Sequence, residues 1–291
     1  SGVGFPVDLM LPFATNTGSV KPFVDRLRGA TKYLLPPYSN AEQTETNVVT
    51  SFASNDGVIV GADSLDVINN YYNGDRRYAA SFFRRAPSVF DIVCYTGNGS
   101  TQNVNHNLGV APELMIVKSR SLSDSDWWVY ASALTTPQNK YLRLQSTDGE
   151  STATGLWGSS LPTSTTFGLG AFSPNSSGAT FVAYLFATCA GVSKVGSYTG
   201  TGALQTVNCG FTSGARFILI KRTNSTGDWW LYDSARGISS GNDPYLLLNT
   251  TGASELGTNY VDTDSTGFKV TAAAPAGLNA SGGTYIFLAF A

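Results

Sequence analysis

The feature that most limits how this chain folds is that it repeats itself. Sliding the sequence by 103 positions sets Asp91–Lys118 on Lys194–Lys221 without a gap, with eight identities among 28 positions. Tyr95-Thr96-Gly97 falls on Tyr198-Thr199-Gly200, Gln102 on Gln205, Val104-Asn105 on Val207-Asn208 and Lys118 on Lys221. One residue of slippage then superposes Asp126-Trp127-Trp128 on Asp228-Trp229-Trp230. Further on, Tyr141-Leu142 meets Tyr245-Leu246, and Thr180-Phe181 meets Thr284-Tyr285. A fainter copy opens the chain: Val7–Leu11 stands for Pro112–Ile116, Lys32–Leu35 for Lys140–Arg143, and Arg77–Ala80 for the closing run. This copy lacks the Tyr-Thr-Gly opening, so either it starts late or residues ahead of Ser1 belong to it. The units span 1–88, 89–191 and 192–291. A period near 100 residues exceeds the roughly 20–50 of a solenoid, and each unit is domain-sized. The expectation is a row of beads.

Within 192–291 the sequence reads as short apolar runs cut by Gly, Ser, Thr and Asn. Arg216–Lys221 is an apolar run closed by charges. Lys194–Tyr198, Leu204–Cys209, Trp229–Asp233, Tyr245–Leu248, Phe268–Val270 and Thr284–Phe290 complete about seven strands. Long helical periodicity and βαβ alternation are both missing, so each unit is expected to be all-β, an antiparallel sandwich or barrel.

Composition excludes several function classes. Charged residues are 13% of the chain and the net charge is -2, so no broad basic face exists to neutralise phosphates, and nucleic acid is not expected as a partner. No apolar run approaches the roughly 20 residues of a membrane helix. Cys94, Cys189 and Cys209 form neither a disulfide framework nor a zinc motif, and no metal or other cofactor is expected.

Candidates for chemistry are few. His106 is the single histidine, its counterpart is Cys209, and no G-x-S-x-G elbow accompanies it, so a structural role is preferred. Glu42, Glu150 and Glu255 recur nine or ten residues beyond Tyr33, Tyr141 and Tyr245. They are the best candidates for acids of a glycan hydrolase, but lack a recurring acidic neighbour, and turn duty is preferred. Asp262-x-Asp264 resembles part of a calcium loop without its closing Glu, which favours turn chemistry. Asn98, Asn175, Asn224, Asn249 and Asn279 begin N-x-Ser/Thr sequences in expected turns. The Trp pairs are the best ligand candidates. Neighbours on a strand face opposite ways. Trp127 with Val129, and Trp229 with Leu231, form the expected core face. Trp128, Tyr130, Trp230 and Tyr232 share the other face, available for core packing, subunit contact or stacking against sugar rings.

The closing pattern, Phe167-Gly168-Leu169-Gly170 or Thr266-Gly267-Phe268, then an Asn/Ser/Gly loop, then Phe181–Tyr184 or Tyr285–Phe287, resembles the end of a concanavalin A-like or SPRY-like sandwich. The same pattern, with Tyr95–Gly99 and Lys140–Arg143, is similar to a repeated module of virion proteins in tailed bacteriophages, above all long tail fibres. The resemblance implies three tandem antiparallel β-sandwich (concanavalin A-like or jelly-roll-like) modules, the first incomplete. It implies a non-enzymatic structural protein on the virion surface, a homotrimeric tail fibre that binds other virion proteins and adheres to a bacterial surface glycan or protein. Lys21-Pro22, standing where the other copies carry the Trp pair, departs from the pattern. The rival expectations are a lectin-like carbohydrate-binding module of a secreted protein and a capsid decoration or head-fibre protein.

Overall fold

Both faces of the chain's most apolar strands are buried, and this decides the architecture. A computed structural model describes residues 2–62, 68, 76–239 and 241–291. The fold is all-β and antiparallel. Helix among the described residues is limited to Ala276–Asn279 and two short 3-10 turns.

Each repeat stretch builds its own main sheet around one apolar strand. In the second stretch, Leu114–Ser119 lies between Trp127–Ala131 and Thr180–Phe186. Lys140–Arg143 and Ser151–Thr152 extend one side and Phe90–Thr96 closes the other. The third stretch repeats that order with Phe217–Arg222 between Trp229–Asp233 and Thr284–Phe290, flanked by Tyr245–Leu247 and Ser193–Thr199. In the first stretch only Val24–Asp25, Leu9–Ala14 and Tyr78–Phe83 pair in this way. The registers agree: Leu9 faces Phe83, Leu114 faces Phe186 and Phe217 faces Phe290.

A smaller sheet covers one face of the main sheet in the later stretches. Gln102–Asn105 pairs with Thr166–Leu169 in the second, and Gln205–Asn208 pairs with Gly267–Val270 in the third. Val104, Phe167 and Leu169 pack there against Met115, Val117, Phe181 and Leu185. Val207, Phe268 and Val270 pack likewise against Ile218, Ile220 and Phe287. The third stretch adds a strand, Val261–Asp264, joined to Gly267–Val270 by a hairpin. Asp264 accepts the Thr266 N–H and hydroxyl at 2.9 and 2.7 Å, so the calcium-like spacing is turn chemistry at a hairpin tip.

The opposite faces of the main sheets meet in one core. Leu9, Leu11 and Phe13, then Leu114 and Ile116, then Phe217 and Leu219 belong to the same buried cluster. At its centre stand three equivalent residues of the closing strands: Phe83, Phe186 and Phe290. Their ring centroids are 6.2, 5.2 and 6.3 Å apart, a nearly equilateral triangle that marks a pseudo-threefold axis. The expectation of separate beads is therefore corrected. A strand apolar on both faces requires two cores, and a lone bead offers only one. The three stretches close into a ring around the second.

Residues repeated along the sequence tie the opening hairpin to the closing loop. Asn175 is fully buried. Its Oδ1 accepts the Asn98 N–H at 3.0 Å and the Gln102 side-chain amide at 2.5 Å, while its Nδ2 donates to the carbonyls of Ser100 and Gly170. Asn279 does the same for Thr201, Gln205, Ala203 and Thr271. Tyr95 and Tyr198 hydroxyls donate to Pro174 and Leu278 carbonyls. A Cβ at Gly97 or Gly200 would lie 2.3 or 2.4 Å from the carbonyl oxygen of Ser176 or Ala280, so only glycine fits. The segment ahead of Tyr78 in the first stretch falls largely outside the described residues.

Candidate functional site

The strand pair Trp127–Ala131 and Leu114–Ser119 places Lys118 opposite Trp127, and its counterpart places Lys221 opposite Trp229. Both lysines are fully buried. Lys118 Nζ donates to the Ser125 carbonyl of its own stretch and, at 2.9 Å, to Ser39 of the first. Lys221 Nζ donates to Gly227 and, at 2.8 Å, to Thr147 of the second. In the first stretch the register Leu9–Asp25 and Met10–Val24, carried onward, sets Phe13 opposite Lys21. The same cation and aromatic are present with their strands exchanged. Lys21 Nζ still crosses to a neighbour, donating to Thr250 and Gly252 of the third stretch at 2.8 and 3.0 Å. Each stretch thus grips the one before it in a cycle. Burial pushes all three lysines down to about 8, with Arg236 adding repulsion at Lys21.

The Trp pairs divide between two interiors. Trp127 and Trp229 enter the shared core, and their indole N–H groups donate to Tyr38 and Arg143 carbonyls of the neighbouring stretch at 3.0 and 2.9 Å. Trp128, Tyr130, Trp230 and Tyr232, the sequence's ligand candidates, are also buried, at 9, 2, 7 and 0% exposure. They are not an open stacking platform: the smaller sheets and adjoining loops cover the face they occupy. Trp128 packs on Tyr141 and Trp230 on Tyr245, with ring centroids 4.9 and 4.6 Å apart. Among the described residues, the indole nitrogens of Trp128 and Trp230 and the Tyr232 hydroxyl have no hydrogen-bond partner.

Of the recurring glutamates, Glu42 and Glu150 sit at seams between stretches and Glu255 is exposed. Glu42 receives Arg120 of the second stretch through two bonds, at 2.9 and 3.1 Å, and Arg28 at 3.3 Å. Its carboxylate thereby accepts from two guanidinium groups at once. Glu150 accepts the Thr135 hydroxyl at 2.7 Å and lies 3.4 Å from Lys140. The Glu255 backbone bridges to Tyr245. Arg28, without side-chain exposure, also binds Asp25 at 2.5 Å, and Asp25 accepts the Tyr184 hydroxyl of the second stretch at 2.7 Å. His106 Nε2 donates to the Thr163 carbonyl while Nδ1 accepts the Leu108 N–H, an arrangement satisfied by the neutral ring. Burial lowers its pKa in the same sense. All three cysteines are free, and the described residues hold no cluster of three or more His, Cys, Asp or Glu side chains able to bind a metal.

A polar open feature also lies at a seam. A cleft of about 680 Å³ lies between the second and third stretches, lined by Lys140, Asp148, Glu150, Asn224 and Thr226 among others. It is polar, with no aromatic floor. The sequence missed the lysine cycle because Lys118 and Lys221 read as charges ending a strand. Their recurrence beside a Trp strand was the available signal.

A family described as a domain of unknown function, DUF7483, matches residues 1–291. The chain belongs to that family. The DUF7483 match spans all three stretches. No curated protein and no solved structure matches the chain. No helix among the described residues is long and apolar enough to cross a membrane.

Proposed function

We propose that the chain is a non-enzymatic structural protein of a tailed-phage virion: a tail fibre or similar appendage that contacts the host surface. In this reading each stretch is a concanavalin A-like β-sandwich repeat, three in tandem, the first without its opening strands. The observation that carries it is the use made of the recurring polar side chains. Lys118 and Lys221, with Lys21 in the first stretch, join one stretch to the next, and Asn175 and Asn279 hold loops in place. Glu42 is occupied by arginines. A chain that spends its reactive groups on internal joints suits a load-carrying part, and its variable polar loops suit contact with other virion proteins or a cell surface. A homotrimer of such chains, as the resemblance implies, is part of this reading.

The test is gold-labelled antibody against the chain on intact purified particles, with copy number from quantitative mass spectrometry. Label on tail appendages supports the reading. Label on the head assigns the chain to a decoration or head fibre, and its absence from particles refutes the virion assignment. A second reading, carbohydrate binding, is favoured by the polar cleft beside Lys140 and Asn224, whose donors and acceptors suit sugar hydroxyls. Glycan-array binding lost on Asn224→Ala but kept on Trp128→Phe would support it.

A further inference from the structure

The third stretch buries a carboxyl where its sister stretch makes do with an amide. Asp243 precedes Pro244 in the chain's single Asp-Pro sequence. Asp243 is fully buried, and its Oδ2 accepts the backbone N–H groups of Tyr260 and Val261 at 2.7 Å each. Its Oδ1 is buried too and, among the described residues, has no hydrogen-bond partner. In the second stretch Asn139 stands at this place, because Tyr141 and Tyr245 are equivalent. Asn139 Oδ1 accepts the Gly155 N–H at 2.9 Å. An amide thus does the same holding without burying an ionisable group. Lys140 follows Asn139 where Pro244 follows Asp243.

The backbone beside that carboxyl differs in the same direction. The Asp243 carbonyl accepts the Thr258 hydroxyl at 2.8 Å, whereas the Asn139 carbonyl accepts the backbone N–H of Ala153 at 2.8 Å. A donor held on a carbonyl oxygen steadies the oxyanion that forms when the carbon is attacked. With Oδ2 accepting twice, the proton of the neutral acid belongs on Oδ1. Burial pushes the Asp243 pKa up and the Asp262 charge adds to this, against the pull of the two N–H groups, which raises the share of neutral acid. The Pro244 nitrogen is more heavily alkylated than other peptide nitrogens and takes up a proton more readily.

We propose that the peptide bond between Asp243 and Pro244 is self-cleaving, cut by the Asp243 side chain while Thr258 stabilises the developing oxyanion. Oδ1 bonds to the Asp243 carbonyl carbon, and the carbonyl electrons move onto the oxygen held by Thr258. Their return breaks the C–N bond, and the carboxyl proton goes to the Pro244 nitrogen. The products are a cyclic anhydride at Asp243 and a free Pro244 amine. One water then opens the anhydride to two carboxyl groups. A nucleophile on the same residue as its target needs no encounter step. Segments 1–243 and 244–291 stay together after the cut, because Thr284–Phe290 pairs on both sides, with Ser193–Thr199 and with Phe217–Arg222. The inference does not depend on the functional assignment.

The experiment incubates the full chain, purified with protease inhibitors, at mildly acidic and at neutral pH, and follows its intact mass after denaturation. Fragments 1–243 and 244–291 are expected, with masses totalling the parent plus one water, at a rate independent of protein concentration. Added hydroxylamine should capture the anhydride as a hydroxamate on Asp243. Asp243→Asn should slow the cut by at least about tenfold, and so should Thr258→Val. A folded chain that yields no fragments overturns the proposal. Fragments that persist undiminished in Asp243→Asn, or that form without the hydroxamate, mark a contaminating protease and overturn it as well. Equally fast cutting of the urea-unfolded chain overturns the part given to Thr258 and the fold. If Asp243→Asn fails to fold, Pro244→Ala, which keeps the carboxyl, decides in its place: slowed cutting supports the proposal and unslowed cutting refutes it.

Discussion

Raising the pH from about 8 to 9 should stabilise this protein. Lys21, Lys118 and Lys221 have pKa values lowered from 10.5 to about 8 by burial, so across that interval the unfolded chain binds more protons than the folded one. Unfolding free energy then rises with pH. Each lysine contributes about 1 kcal/mol over the interval, about 3 kcal/mol for the three. The thiols of Cys94 and Cys209, raised by burial, act oppositely because they ionise first in the unfolded chain, and so do the buried tyrosines such as Tyr184 and Tyr198. Together they remove about 1 kcal/mol, leaving a net gain of about 2 kcal/mol. The neutral amine keeps two N–H donors, enough for both carbonyls at Lys118 and both at Lys221. Urea titrations at several pH values across this interval measure the gain, and Lys118→Met should remove about a third of the lysine contribution. Stability that stays level or declines over the interval would refute the reasoning, showing that the carbonyls hold the lysines as ammonium ions despite burial.

Other expectations follow from single contacts. Trp127→Phe should destabilise by about 1 kcal/mol more than Trp128→Phe, because only Trp127 loses an indole hydrogen bond; paired denaturation curves measure the difference. Asn279→Ala strands the Gln205 amide and the Ala203 and Thr271 carbonyls, and should cost about 2–4 kcal/mol, with hydrogen exchange quickening first at Thr201–Gln205. Glu42→Gln leaves buried Arg28 and half-buried Arg120 short of a counter-charge and should cost about 3 kcal/mol in thermal unfolding, whereas Glu255→Gln should be nearly silent.

Much of the backbone pattern was legible in the residues. The seven strands expected for 192–291 all form, because apolar runs bounded by Gly, Thr and Asn carry their own punctuation. Val261–Asp264 was missed, since Val-Asp-Thr-Asp has the composition of a turn and becomes a strand only by pairing with Gly267–Val270. The ring was missed for a different reason. Phe217-Ile218-Leu219-Ile220 shows that both faces are buried without showing against what, and a shared core is a property of three stretches at once. Trp128 and Trp230 show the same limit. Alternation separated them correctly from Trp127 and Trp229, but which face stays open depends on a second sheet distant in sequence.

The exchange of Phe13 and Lys21 has an evolutionary corollary. In an assembly of three identical chains, any substitution near the axis arrives in triplicate and must be tolerated three times over. Copies strung on one polypeptide escape that rule, and each can drift alone. The Asp25–Arg28 and Asp233–Arg236 ion pairs have become Ala131 and Leu134 in the middle copy. The three flanks of such a molecule need no longer look alike, so a symmetrical body can present three different addresses to whatever surrounds it.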